Sequence, residues 1–288
     1  MLYKREWESE LNTLYYVKGM AMIEEGNATD ALIFIKELKL EDFKFTYLRA
    51  MAYIKGGNKD LALKEIGICL KFEPENVDAL VLKGKLLWSI GKNQEGNKLF
   101  WTAYDIDPKN PEVLEFLAIM RPKANEYYEK ASKLFICGEY LEALAAIKKG
   151  LDLYHDHSKL LLLQASILRL QGEYEKAMDS LELAAKNMVA EGIESDVNTQ
   201  IGLTYNDMGK MLFSKQKYDG AVTVFTEAEK YLPKDPGIQI NRGDAYKYEG
   251  NYSLALANYH YALELGGSKE LVNTRLALTH YQLGKLLS

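Results

Sequence analysis

The chain has 288 residues, 48% of them apolar and 27% charged, and its net charge of −5 supplies no basic stripe for sequence-independent attachment to nucleic acid. No apolar run reaches the ~20 residues that a membrane-crossing helix needs, and the opening MLYKREWESE lacks the apolar centre of a signal peptide. Two cysteines, Cys69 and Cys137, are too few for a disulfide framework; both fall where small side chains separate helices and are expected as buried, inert thiols in a reducing compartment.

In chain order, the predicted elements are helices in pairs. The chain opens directly in helical pattern, with Trp7, Leu11 and Leu14 spaced for one face. That fits either an unusually long first helix or a start inside a longer array. A recurrent pattern then sets in: a small residue, a turn at Gly-x-Tyr or a variant of it, then Ala, a bulky apolar residue and Ala again. Aligned on the alanine of the second helix, Ala31, Ala62, Gly96, Ala143, Ala177, Ala221 and Ala255 define seven units. The units begin near Asn12, Phe43, Val77, Ala124, Ser158, Gly202 and Pro236, at steps of 31, 34, 47, 34, 44 and 34 residues. Such a period marks a solenoid, in which each unit buries its apolar face on its neighbours and added length means added units.

The irregular steps carry their own expectations. The short first step predicts that the second helix of unit one, near Thr29 to Leu40, loses most of a turn. The long third step holds an insert in which Val113, Leu114, Phe116, Leu117, Ile119 and Met120 follow Pro111, a residue suited to a first helical turn. A helix is expected there, broken or bent at Pro122. The step through NMVAEGIESDVNTQ predicts an extended second helix and a mobile connection, with Glu191, Gly192, Glu194 and Asp196 in a solvated loop. In the last unit Ile240, Tyr246 and Tyr248 give way to a turn at Gly250 and Asn251, and Leu254, Leu256, Tyr259, Ala262 and Leu263 restart the helical period. A terminal helix follows, docking by Leu271, Leu276 and Leu278 with Lys269, Glu270 and Arg275 in water. The domains expected are an N-terminal helical extension (1–11), repeats one to three (12–110), a helical insert (111–123), repeats four to seven (124–269) and a capping helix (270–288).

Individual residue types have steric work in this scheme. Gly209, Gly243, Ala165 and Ala177 are expected where the two helices of a unit meet, since a longer side chain there overpacks the contact at ~1–3 kcal/mol. Tyr140, Tyr174, Tyr218 and Tyr252 share the slot before the second helix, where a ring fills the gap between units and its hydroxyl stays wet. No glycine-rich phosphate loop, metal-ligand cluster or nucleophile with a nameable base is found. His155 and His157 flank Asp156 at a spacing a metal can use, but no further ligand joins them and a solvated turn is expected. Glu24 and Glu25 read as solvated. The expectation is a protein without enzymatic activity, cofactor, metal or small-molecule substrate.

Residues 12 to 288 resemble the tetratricopeptide repeat superfamily. The marks are Gly243, Tyr246, Gly250, Tyr252, Ala255, Tyr259 and Ala262 in GDAYKYEGNYSLALANYHYAL, and Gly209, Leu212, Tyr218, Ala221, Phe225 and Ala228 one period earlier, with Pro233 closing that unit. The resemblance implies an all-α, right-handed superhelical solenoid whose first helices line a concave surface, with the second, fifth, ninth and twelfth positions of each unit pointing into it. Here those positions give Tyr16, Met20 and Ile23, then Lys44, Tyr47, Met51 and Ile54, then Val81, Lys85 and Trp88, an apolar groove with a few cations. Tyr128 and Phe135, then Leu162 and Arg169, continue it before Asn206, Lys210, Asp244 and Lys247 turn it polar. Methionine beside rigid aromatics suits a partner's apolar helix face or extended segment. Self-coverage by neighbouring units is the competing reading.

The family's chaperone-tail clamp needs a Lys and Asn one turn apart on one first helix, an Asn on the next, and Lys with Arg on the third. Asn206, Lys210 and Asn241 are a partial echo, so chaperone-tail binding is disfavoured. A narrower likeness rests on LTYND (Leu203 to Asp207), INRGDAYK (Ile240 to Lys247) and NTRLAL (Asn273 to Leu278). These segments look like stretches of the tetratricopeptide repeat protein 16 family of ciliated eukaryotes, whose members are longer at both ends. It implies a non-catalytic structural scaffold in a ciliary or axonemal assembly, in cytoplasm and cytoskeleton. Its partners would be proteins, axonemal or microtubule-associated, and neither nucleic acid nor membrane. A soluble cytosolic adaptor for helical or extended peptide segments is the alternative.

Overall fold

A computed structural model describes residues 2–186 and 192–287, and among them the regular elements are fifteen α-helices. They fall into two compact units, Met1–Pro122 and Lys123–Ser288. The first contains α1 (Leu2–Glu24), α2 (Ala28–Leu38), α3 (Phe43–Lys55), α4 (Lys59–Phe72), α5 (Val77–Ser89), α6 (Asn93–Ile106) and the leading part of α7 (Pro111–Ile136). The second takes the rest of α7, then α8 (Tyr140–Leu153), α9 (Ser158–Leu170), α10 (Tyr174–Ala185) and α11 (Glu194–Ser214). It ends with α12 (Tyr218–Tyr231), α13 (Pro236–Glu249), α14 (Tyr252–Glu264) and α15 (Lys269–Leu287). Odd-numbered helices are the first of a pair, hereafter A, and even-numbered ones the second, B.

Local chemistry sets the helix ends. Asp42 accepts from the Phe45 N–H at 3.0 Å, Asn58 from Leu61 at 3.2 Å and Asn76 from Ala79 at 3.1 Å, each satisfying an N–H that the first turn leaves open. Each A helix is turned into its B helix through a left-handed residue. Glycine holds that place at Gly26, Gly57, Gly91, Gly138, Gly172 and Gly250, and Gln216 holds it between α11 and α12 with φ 58°. α2 has 11 residues where α4 and α6 each have 14, the shortening that the first step predicts.

Within each pair the core forms where a small residue on A admits a large one on B. A Cβ on Gly84 would stand 2.9 Å from the Phe100 ring, one on Gly209 2.4 Å from Phe225, and one on Gly243 2.7 Å from Tyr259. Ala165 and Ala177 are buried in the same way. Phe100 in turn stacks on Phe116 with ring centroids 4.0 Å apart. The first unit is centred on Ile23, Ala31, Ile35, Phe45, Leu48 and Ala52. Satellite clusters follow along the array, such as Leu161, Ala165, Ala177, Leu181 and Val197 in the second unit. Tyr140, Tyr174, Tyr218 and Tyr252 are the first residues of their B helices and are all half-buried.

The irregular steps resolve differently from the sequence reading. Phe43, Val77 and Pro111 open α3, α5 and α7 at intervals of 34 residues, so the fourth A helix starts on schedule. Residues 111–123 are the leading half of this 26-residue helix, which runs unbroken through Pro122. Pro122 and Ala118, whose carbonyl loses its N–H partner, are both exposed, so that carbonyl faces solvent and the break is unnecessary.

The 44-residue step likewise lengthens an A helix. α10 ends at Ala185, and α11 starts at Glu194 rather than near Gly202. Ile193, Val197 and Ile201 form its buried stripe, and Glu194 and Asp196 sit in its first turn, where carboxylates complement the helix dipole. Gly192 is in a turn; Glu191 and the rest of 187–191 lie outside the described residues.

At the ends of the chain, the apolar faces also differ from those expected. α15 docks by Val272, Leu276 and Thr279; Leu271 and Leu278 are exposed, and Arg275 turns inward onto Asp244. On α1, Leu11 and Leu14 are exposed, and Gly19 and Ile23 enter the core; the Trp7 side chain lies outside the described set.

Candidate protein-interaction site

In the first unit the A helices α1 and α3 touch, and the side chains on their common face are neither core nor free surface. Tyr16, Met20 and Met51 rest on the cluster around Ile35 and Phe45, while Tyr47 and Ile54 rest on the one around Ala62 and Ile66. All five remain half-buried, with part of each side chain still facing solvent. Tyr47 stacks on Phe43 at 5.7 Å. Lys44 and Lys85 are exposed, and Lys85 holds Glu112 at 2.8 Å. Ile23 and Val81, expected in this lining, are 4% and 1% exposed and belong to the core, so they offer nothing to a partner. Trp88 is half-buried but committed: its Nε1 donates to Asn97 at 2.8 Å and its ring meets Phe116 edge-on at 5.5 Å.

The electrostatics of this face come from residues that the sequence reading missed. Burial, and then the Asp78 carboxylate, push the Tyr16 hydroxyl up. The same two causes, in the same order, push Tyr47 up to about 12, with Tyr16, Glu112 and Cys69 adding to them. Asp78 therefore acts on both hydroxyls, and it is exposed in the first turn of α5, with no hydrogen bond or ion pair to another described residue. The positional rule contains the signal. Asp78 and Glu112 are the second residues of α5 and α7, once α7 is known to begin at Pro111.

In the second unit, Tyr128 lies against His157 at 6.1 Å and Phe135 against Tyr140 at 5.7 Å, both half-buried. Beyond them, several polar side chains of the A helices pair with one another, although the buried Arg169 Nε donates, and the buried Gln200 Oε1 accepts, no hydrogen bond among the described residues. Asp207 pairs with Arg169 and, at 3.1 Å, with Lys210. Asn241 donates to Asn206 at 2.9 Å, and Asp244 accepts from Tyr259 at 2.7 Å and from Arg275 at 2.9 Å. Lys247 lies over the Tyr248 ring at 4.9 Å. The extended start of α11 borders an open pocket of about 440 Å³ with α7 and α9, lined by Tyr128, Lys159, Leu162, Ser166, Asp196 and Gln200 among others.

Two readings of reactive groups are corrected. His157 is buried, not solvated: its Nδ1 caps α9 by accepting from Leu160 at 3.3 Å, and its Nε2 meets Asn125 Oδ1 at 2.8 Å. It does the work that Asp42 and Asn76 do for α3 and α5. Cys69 is buried, and burial pushes its thiol up to about 12, whereas Cys137 is exposed just beyond the end of α7. Among the described residues no group of three or more His, Cys, Asp or Glu is placed to hold a metal ion, and no helix is long and apolar enough to cross a membrane.

Helix pairs stacked at a period of 34 residues, with a small residue on A under a large one on B, define a tetratricopeptide-repeat solenoid. Such solenoids work as protein-binding scaffolds. Residues 138–190 match the family model described as "Tetratricopeptide repeat". Over 287 residues the chain is 28% identical to human "Tetratricopeptide repeat protein 16", covering 95% of this chain and 32% of that protein. The mouse protein of the same name is 25% identical over 289 residues, 96% of this chain and 37% of its own length. A fission yeast "DnaJ homolog subfamily C member 7 homolog" is 30% identical over 139 residues, 46% of this chain and 29% of that protein. The chain thus spans about a third of the length of the curated relatives it matches.

Proposed function

We propose that this protein is a non-catalytic scaffold that receives protein segments on the A-helix face of its first unit and is held within a ciliary or axonemal assembly. The observation that carries the docking role is the row Tyr16, Met20, Tyr47, Met51 and Ile54, seated on the core yet incompletely covered. Covering such side chains releases roughly 25 cal/mol per Å² of apolar surface, and methionine adapts to the shape that arrives. The ciliary setting is what the resemblance carried by the segments LTYND, INRGDAYK and NTRLAL implies. Likeness to a DnaJ-named relative favours the second reading, a soluble adaptor. Against a chaperone-tail clamp stand Asn206 and Lys210, both already engaged within the chain.

A tagged copy in ciliated cells tests both parts. Retention on the axoneme or basal body after detergent is expected; a diffuse protein that washes out would replace the static component with the adaptor. Tyr16→Ala with Tyr47→Ala, at native helicity, should weaken recovery of cross-linked partners by about tenfold or more, since anchors of this type dominate interfaces. Unchanged recovery would move the docking site off this face.

A further inference from the structure

We infer that the leading half of α7 carries a docking site separate from the A-helix face proposed above, and that it takes an amphipathic partner helix built like this chain's own B helices. Counted from the start of its period, an A helix meets its B helix through its first, fourth, eighth and eleventh residues. In α11 these are Gly202, Tyr205, Gly209 and Leu212. A Cβ on Gly202 would stand 2.6 Å from Leu232 just past α12, and one on Gly209 2.4 Å from Phe225. Tyr205 stacks on Tyr231 at 6.0 Å, and Leu212 packs on the cluster of Ala221 and Phe225. In α3, α5, α9, α11 and α13 none of the four places is exposed.

On the leading half of α7 the four places are Pro111, Leu114, Ala118 and Arg121, and all are exposed, Leu114 to 46%. The other side of this segment is firmly seated, with Val113, Phe116 and Met120 in the core. No B helix follows it, because α7 runs on into a trailing half whose own four places, Ala124, Tyr127, Ala131 and Leu134, pack with Ala143 and Ile147 of α8. The stripe is an A-type interface whose second helix the described residues do not supply. α15 makes the contrast. Its four places, also exposed, are Glu270, Asn273, Ala277 and His280, a polar surface that water covers, whereas α7 presents Pro111, Leu114 and Ala118, with Ile119 50% exposed beside them.

The chain itself shows what fits over Ala118. The eighth place is small in every pair and receives a large side chain flanked by small residues four before and three after it, as in Gly96, Phe100 and Ala103 or Ala221, Phe225 and Ala228. A partner helix with that small-aromatic-small stripe continues the interface by which the array is already built, and burial of its ring against Leu114 and Ala118 drives the docking.

The probe is a fluorescent peptide with the sequence of Tyr218–Tyr231, held helical by a hydrocarbon staple across the positions of Thr223 and Glu227. Anisotropy against the full chain should show binding that Ala118→Arg and Leu114→Gln each weaken about tenfold at parental helicity. Ala277→Arg, the same change at the same place on α15, should leave binding intact. The peptide carrying Phe225→Ala should lose the same factor on the parent and nothing further on Ala118→Arg, a cycle that isolates the ring and its seat from any change in fold. A parent that binds the peptide no better than Ala118→Arg does, or a peptide indifferent to loss of its ring, would overturn the inference and leave the A-helix face untouched. Sedimentation velocity decides the other occupant: a dimer of the parent chain that Ala118→Arg dissociates would give the stripe to a second copy and overturn the partner helix.

Discussion

The two units are made from the same helix pair, yet their A-helix faces carry different side chains. In the second unit, arginine, asparagine and aspartate side chains close on one another from repeat to repeat, as in Arg169 with Asp207 and Arg275 with Asp244. In the first unit the face is aromatic and methionine-rich, and Asp78 has no hydrogen bond or ion pair among the described residues. Polar groups that have already exchanged water for protein partners gain little from a newcomer, whereas half-covered apolar groups still have free energy to release.

The largest effect that sharpens this contrast is a cavity in the second unit. Phe225 is 1% exposed and fills the space over Gly209, so Phe225→Ala should destabilise that unit by about 3–5 kcal/mol. Calorimetry should show the second unit melting earlier while the transition of the first stays in place, because contacts in a repeat array run between neighbours. A single transition that moved as a whole would make the two units one cooperative body.

Next in size is the pair of Arg242→Met and Lys85→Met. Arg242 reaches Asn258, Thr226, Glu229 and Gln239 from a side chain 14% exposed, and its loss leaves the Oε1 of the fully buried Gln239 without its donor, while Gln239 Nε2 keeps Glu229. About 1–3 kcal/mol should be lost by urea unfolding. Lys85 and Glu112 are 48% and 54% exposed, and that pair should contribute about 0–1 kcal/mol. Equal costs for the two substitutions would erase the distinction between a self-satisfied face and an open one.

A further effect is confined to alkaline pH. Tyr47 has its folded value pushed up to about 12 from the usual 10.0, so above pH 10 the unfolded chain gives up a proton that the folded chain keeps. The stability this residue contributes is whole below pH 10 and is lost as pH rises through about 12. Tyr47→Phe should leave the urea midpoint unchanged below pH 10 and make its decline above that point shallower; the same decline in both proteins would mean that Tyr47 is not buried as described.

The sequence disclosed the repeat where one residue has one job. Gly209 and Gly243 must be small, Phe43, Val77, Ser158 and Pro236 open helices where the period places them, and the missing turn of α2 was legible from spacing alone. Counting from the alanines of B helices hid the two long A helices, because α7 and α11 grow at a point where that ruler sees only a gap. The same ruler placed the start of unit four at Ala124 and so passed over Glu112. Tyr16, Tyr47 and Met51 are half-buried at the expected lining positions, but Ile23 and Val81 occupy such positions too and are buried. Whether a side chain at such a position ends in core or in solvent depends on what the neighbouring helix places above it, and no single repeat records that. The inward turn of Arg275 was hidden for the same reason, since its partner Asp244 is one repeat away.

Gln216 makes the chain unequal under random mutation. At six of the A-to-B corners glycine already has the backbone freedom required, and almost any replacement there is harmful; at this one corner the strain is built in, with φ at 58°. A substitution that ordinarily weakens proteins, Gln216→Gly, should here strengthen one, by about 0.5–1 kcal/mol after the added disorder of the unfolded glycine is subtracted. The corner between α11 and α12 is therefore the A-to-B turn at which a change to glycine relieves strain instead of adding disorder alone.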